Sequence, residues 1–261
     1  MNYWQKQDSN KPLFEAIFWS KPEQRSQLGR LGIIGGTKTS FLAVAKAHQT
    51  VNELGPEPTL VLPEDLKPIL KSLPNTVFAV TNPSGGLSQK ALADFLALQA
   101  ATDGLLLVGD AGKNSETNLL YENFALQLAS SKPVVITRDA IELVSNSFHH
   151  LVNQPNLTFI MSFAQAQKLF RGVYYPVMLL HSMPLVKLIE ALHKFTITYP
   201  PVIVLFHQNQ LLIAQAGRVI SVNFDQSAKI WQGILQAKIA CWQIWNPQKL
   251  LEATVCALVE A

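Results

Sequence analysis

Residues 102–113 read Thr-Asp-Gly-Leu-Leu-Leu-Val-Gly-Asp-Ala-Gly-Lys, an apolar run that stops at a pair of spaced glycines. With no polar alternation, such a run predicts a strand buried on both faces, as in the centre of a parallel sheet covered by helices. It empties straight into a loop. In an open α/β sheet, ligands sit outside the carboxyl ends of the strands. Gly109, Asp110, Gly112 and Lys113 are therefore expected on the rim of a site.

Comparable apolar runs recur at 31–35, 58–62, 76–81, 133–137, 157–161 and 201–206, with helical periodicity at 40–54, 88–101, 115–130, 163–171 and 184–195. This alternation predicts a three-layer α/β fold, a mostly parallel sheet with helices on both faces. Near the C-terminus, 201–206, 211–214 and 218–223 follow one another with very short connections, which predicts an antiparallel edge. Two helical stretches, 226–245 and 247–259, close the chain, with Pro247 placed to start the second. The first 28 residues, with Lys11-Pro12 and Lys21-Pro22, read as an extended N-terminal arm laid on one α/β domain spanning 29–261.

A chain of 261 residues with 48% hydrophobic and 15% charged residues can bury one sizeable core. Its net charge of +3 comes from scattered lysines and arginines. Without a basic stripe, nucleic acid is not expected as a partner. No secretory leader and no uncharged apolar run of about 18 residues is present, so the expectation is a cytoplasmic protein without a membrane partner. Cys241 and Cys256 lack metal-ligand spacing and read as reduced core thiols. His149 and His150 are adjacent and cannot share a metal as i, i+4 histidines do. The other histidines stand alone, and no Ser-His-Asp arrangement is defined.

Two further loops carry chemistry. Gly35-Gly36-Thr37, at a strand-to-helix turn, can present free amides to an anion; a tight turn with Thr39 or Ser40 as helix cap fits equally well. The spacing is not that of a P-loop. The Asp110 loop can organise a phosphate or a metal-bound phosphate, or can be a solvated turn. Asn82-Pro83-Ser84-Gly85-Gly86 either joins the same rim or merely turns the chain. Asp139 follows another buried strand, where it can cap a helix, and Arg138 beside it can hold an anion or neutralise that aspartate.

With these residues in view, the chain resembles the ribokinase-like ADP/ATP-dependent NAD(P)H-hydrate dehydratases, repair enzymes that dehydrate damaged nicotinamide cofactors. Gly29-Arg30-Leu31-Gly32-Ile33-Ile34-Gly35-Gly36-Thr37 is similar to the family's Gly-Arg-x-x-x-Ile-Gly-Gly-Ser. Residues 104–112 stand where the family has a strand ending in Gly-Pro-Gly-Leu-Gly, and 133–141 resemble its Pro-Val-Val-x-Asp-Ala-Asp-Ala-Leu, keeping Asp139 and putting Thr137 at the first aspartate. Departures follow. Ser162 and Gln165 stand at the histidine and glutamate of Thr-Pro-His-x-Gly-Glu, with loss of two polar contacts expected, and Phe206-His207 stands at Lys-Gly. The family's Gly-x-Gly-Asp falls on Gln226-Ser227-Ala228-Lys229.

In such kinases that aspartate takes the proton from the attacking hydroxyl while glycine amides stabilise the transferring group. Lys229 has donors and no acceptor, so it cannot be the base. The resemblance thus implies a degenerate member with its catalytic motifs lost. Gly35, Gly36, Thr37, Gly109, Asp110, Gly112, Asp139, Ser227 and Lys229 would bind a nucleotide or another anionic small molecule, ADP or ATP with Mg2+ being the implied cofactors. The alternative is an active dehydratase or small-molecule kinase that uses a displaced aspartate, Asp225 or Asp110; Asp225 reads otherwise as a helix N-cap. Members of the family commonly assemble as oligomers, so a homo-oligomer is implied, with Trp231, Trp242 and Trp245 in that interface or in the core.

Overall fold

The computed structural model describes residues 2–8, 11–70, 73–225 and 230–259. Its strands are β1 (Trp4–Gln7), β2 (Arg30–Gly35), β3 (Glu57–Pro63), β4 (Thr76–Ala79), β5 (Gly104–Gly109), β6 (Val134–Thr137), β7 (Leu157–Met161), β8 (Val202–His207), β9 (Gln210–Gln215) and β10 (Arg218–Asn223). Its helices are α1 (Glu15–Phe18), α2 (Leu42–Leu54), α3 (Leu92–Ala101), α4 (Ser115–Ala125), α5 (Asp139–Leu143), α6 (Phe148–Leu151), α7 (Phe163–Gly172), α8 (Leu185–Thr198), α9 (Ile234–Trp245) and α10 (Leu250–Val259).

All ten strands form one sheet in the order β1-β10-β9-β8-β7-β6-β5-β2-β3-β4. From β8 to β4 every neighbouring pair is parallel, as the unalternated apolar runs predict. β5 is buried at every position. The sheet separates two cores. One packs α2, α9 and α10 on one face, and the other packs α3, α4, α7 and α8 on the opposite face. Trp242 and both cysteines are buried in the first.

The C-terminal hairpins have a local cause. Gln208 and Asn209, and then Ala216 and Gly217, take positive φ in pairs, the two-residue turns whose twist matches antiparallel strands. They do not end the sheet, however. Residues 4–7 of the N-terminal arm pair in parallel with β10 and become the edge strand. A four-residue segment with two exposed positions carries too little pattern to be seen beforehand. The helix expected from 226 starts only at Ile234, because Gly233 interrupts it with φ +90° and presses on the α2 backbone; 226–229 fall outside the described residues. α5 and α6 are single turns that no periodicity announces. No helix among the described residues is long and apolar enough to cross a membrane.

After β2 the chain moves outward to β3 and β4, then returns to the other side of β2 as β5 and continues to β8. The direction of winding therefore reverses between β2 and β5, and a crevice opens outside their carboxyl ends.

Candidate functional site

A cleft of about 1070 Å³ lies at this switch point. Thr37, Asp110, Gly112 and Asp139, all expected from sequence, line it together with Lys113 and Arg138. Gly35, Gly36 and Gly109 form the floor behind them, where the Gly36 N–H donates to the Gly109 carbonyl at 2.9 Å. A side chain at Gly35 would collide with that same carbonyl, which explains the glycine by close approach.

Three loops meet at the rim. The Lys38 N–H donates to the Gly85 carbonyl at 2.9 Å, and the Asn114 side chain donates to Ser84 Oγ at 2.9 Å. Asn82 is buried and donates to Thr117 Oγ1 at 2.8 Å. The Asn82–Gly86 glycine loop thus joins the β2 and β5 loops instead of merely turning the chain. Asn114 caps α4 by accepting the Glu116 N–H at 2.8 Å, leaving the start of that helix on the cleft wall.

The floor is built from two aspartates and an arginine. Asp139 Oδ1 accepts the Asp110 N–H at 2.8 Å and Oδ2 accepts the Ala111 N–H at 3.0 Å, so this residue ties the β6 end to the β5 loop. Asp110 Oδ2 accepts the Ala43 N–H in the first turn of α2 at 3.1 Å, while its Oδ1 accepts from the Arg138 guanidinium. α2 is therefore capped by a carboxylate from β5, and neither Thr39 nor Ser40 does so: the Ser40 N–H is turned back on Thr37 Oγ1 at 3.1 Å. Arg138 also donates to the Trp231 carbonyl just before α9. Asp110 and Arg138 both hold left-handed backbone, φ +56° and +55°. For non-glycine residues this costs about 1–3 kcal/mol each.

Gln165 supports the arginine. Ser162 and Gln165 form a reciprocal capping box at the start of α7, and Gln165 Nε2 donates to the Arg138 carbonyl at 2.7 Å. The two polar contacts expected to be lost at these positions are replaced by a contact between them. Tyr121, fully buried beneath the cleft, has its phenol pushed up by burial and by the charge of Asp139.

Of the remaining sequence candidates, one lies elsewhere among the described residues. Asp225 is exposed just beyond β10 and is not among the cleft-lining residues. Four strand spacings separate β10 from β6, roughly 19 Å at about 4.8 Å each. Because α9 starts at Ile234, Asp225 is not its cap. Ser227 and Lys229 lie outside the described residues. Arg138 and Gln165 are the cleft residues whose joint role the sequence did not disclose. Arg138 was expected to hold an anion or to neutralise Asp139, but its guanidinium pairs with Asp110 while Asp139 is taken by backbone amides; Gln165 was marked only as standing at the family's glutamate.

Chemically, all four carboxylate oxygens of Asp110 and Asp139 already accept hydrogen bonds from the protein. Glu142 on the cleft wall is ion-paired with Lys168. The wall offers donors in Arg138, Lys113 and the hydroxyls of Thr37 and Ser40. Such a set is suited to holding an anion more than to abstracting a proton.

No protein-family model matches the sequence, and no curated protein matches it. Solved structures do. A ribokinase-like superfamily protein from Enterococcus faecalis superposes with a TM-score of 0.73 at 14% identity over 99% of this chain and 87% of that one. A hypothetical protein from Streptococcus mutans gives 0.66 at 12% identity, covering 95% and 87%. The ADP/ATP-dependent NAD(P)H-hydrate dehydratase from Bacillus subtilis, co-crystallised with ATP and Mg2+, gives 0.60 at 16% identity, covering 95% and 86%. The fold of this chain is thus ribokinase-like.

Proposed function

We propose that this chain is a divergent homologue of the NAD(P)H-hydrate dehydratases that binds a nucleotide or another anionic small molecule in the β2/β5 cleft and has lost the standard chemistry. One observation carries this reading: each oxygen of the two carboxylates at the heart of the cleft already accepts a hydrogen bond from a backbone amide or from Arg138, which holds the charged form in place and weakens it as a base. A general base must reach the proton it removes. What the cleft retains is an arginine, a lysine and a helix start, the groups that recognise phosphate. The nucleotide-bound dehydratase of the same fold supports ADP or ATP as the ligand class. Among the described residues no three acidic, histidine or cysteine side chains cluster to hold a metal. A Mg2+ ion entering with the nucleotide would therefore be held chiefly by phosphate oxygens and water.

The experiment is thermal unfolding with ADP, ATP or NADPH, each with and without Mg2+, followed by an assay of NAD(P)H-hydrate turnover. A ligand that binds only the folded chain raises its melting temperature. The reading expects a nucleotide-dependent rise without hydrate turnover. No rise at millimolar ligand would sink it, and turnover would support the second reading, an active dehydratase or small-molecule kinase that uses a displaced aspartate, Asp225 or Asp110. That alternative is favoured by the exposure of Asp225 immediately before 226–229, the positions on which the family's Gly-x-Gly-Asp falls in the sequence resemblance. It requires Asp225→Asn or Asp110→Asn to abolish turnover. A cytoplasmic location and a homo-oligomeric state belong to the same proposal, the latter checked by light scattering.

A further inference from the structure

We propose that Arg138 is the anion-recognising side chain of the cleft, and that Asp110 is a resident carboxylate which the phosphate group of an incoming ligand displaces from it. This deepens the binding reading above and rests on it.

The Asp110 carboxylate already sits as a bound anion would. It is held by the N–H of Ala43 in the first turn of α2, at 3.1 Å, and by a guanidinium. A backbone amide at a helix start and an arginine fork are the donors that recur around phosphate. The carboxylate is almost fully buried, whereas the Arg138 side chain remains 23% exposed and lines the cleft. A guanidinium carries five N–H donors. Asp110 and the Trp231 carbonyl take one each from the two terminal nitrogens, and Nε is buried without a partner among the described residues. Each terminal nitrogen therefore keeps one further N–H, so the arginine is not saturated by its internal partners.

The backbone fixes the pair in this relation. Both residues are held at positive φ, Asp110 by the Asp139 carboxylate on its N–H and Arg138 by Gln165 on its carbonyl. Neither clamp depends on the Asp110 side chain, so the carboxylate can leave while the loop stays in place. Charge then favours exchange. A phosphate carries more charge than the carboxylate it replaces and meets Lys113, exposed on the same cleft wall with no ion pair among the described residues. Of the other charged groups on the wall, Lys168 and Glu142 neutralise each other and Asp139 is engaged by amides.

The test is calorimetric titration of the full-length chain with inorganic phosphate and with ADP. In Asp110→Gly the competing carboxylate is gone, and its φ of +56° is one that glycine adopts freely. This variant is expected to bind phosphate at least about tenfold more tightly than the parent. Asp110→Asn keeps an acceptor for Ala43, guards against misfolding of the glycine variant, and should show a smaller gain. Arg138→Gly, likewise compatible with its backbone, should lose phosphate binding in both the parent and the Asp110→Gly background. Failure of both Asp110 variants to gain affinity, or undiminished ADP binding by Arg138→Gly, overturns the proposal while leaving nucleotide binding by the cleft intact. If no variant and no parent binds phosphate or ADP, the binding reading falls and this inference with it.

Discussion

Asp139 accepts the backbone N–H of Asp110 at 2.8 Å, a side-chain bond from the end of one parallel strand to the loop after its neighbour. Because the other Asp139 oxygen takes the Ala111 N–H, this carboxylate sets the shape of the β5 loop and with it the placing of Asp110 against α2 and Arg138. The floor of the cleft is one connected structure, and its stability is open to measurement.

Asp139→Asn replaces one acceptor oxygen by an NH2 group that must face a backbone N–H. Hydrogen bonds to charged groups are worth about 1.5–3 kcal/mol, and an orphaned amide adds its own desolvation cost. We expect a loss of about 2–3 kcal/mol, a fall in melting temperature of about 5–10 °C for a chain of this size. Differential scanning calorimetry reads it directly, and an unchanged transition would remove Asp139 from the account of the loop.

Gly109 and Gly112 make a paired comparison. Both have positive φ, +86° and +79°. A side chain at Gly109 would strike Asp139 Oδ1, whereas one at Gly112 would meet only Thr37 Cγ2 at 3.2 Å. Gly112→Ala should cost the left-handed backbone penalty, about 1–2 kcal/mol. Gly109→Ala adds the collision and should cost clearly more. The ranking, read from urea midpoints, is the prediction; equal midpoints contradict it.

Acid sensitivity follows from His207, buried at the end of β8 with Nε2 unpartnered. Burial, and then the nearby His181, lower its pKa below the ordinary 6.5. Below pH 6.5 the unfolded chain therefore takes up a proton that the folded chain refuses. Stability should fall as pH drops through 6.5 and level off only beneath the folded-state pKa. His48, lowered by burial, acts in the same direction. His207→Gln should shrink the drop in melting temperature between pH 7.5 and pH 5.5, leaving the His48 share; an identical drop would show that His207 is not the titrating group.

The sheet was legible because β2, β3 and β5 to β8 are buried on both faces and show it as unbroken apolar runs. The glycine-rimmed site was legible for a related reason: Gly109 and Gly35 end such runs, and loops there have one place to go. What escaped was the connection between loops. Nothing local in the sequence says that Asp110 caps a helix 67 residues upstream, or that Gln165, at a position where the resemblance puts a glutamate, turns to the Arg138 carbonyl. These bonds depend on which strand ends become neighbours, a property of the sheet order and not of any window. β1 escaped because its pairing partner, β10, lies more than 200 residues away.

That edge strand gives the last prediction. β1 covers the backbone of β10 from Val219 to Val222, and Trp4 Nε1 donates to Ser221 Oγ at 3.0 Å. Gln7 anchors the arm behind it, donating to the Lys11 carbonyl at 2.7 Å and accepting the Leu13 N–H at 2.9 Å. Without β1, the apolar strand β10 would present an unpaired edge, the arrangement that invites strand addition between molecules. Deleting residues 2–8 should lower the unfolding temperature and shift the protein to larger species in size-exclusion chromatography as concentration rises. Placing Lys at Ser221 in the shortened chain adds charge along that edge and should restore the size of the full-length protein. If the shortened chain elutes as the full-length one does at every concentration, β1 is an ornament of the sheet and not its protection.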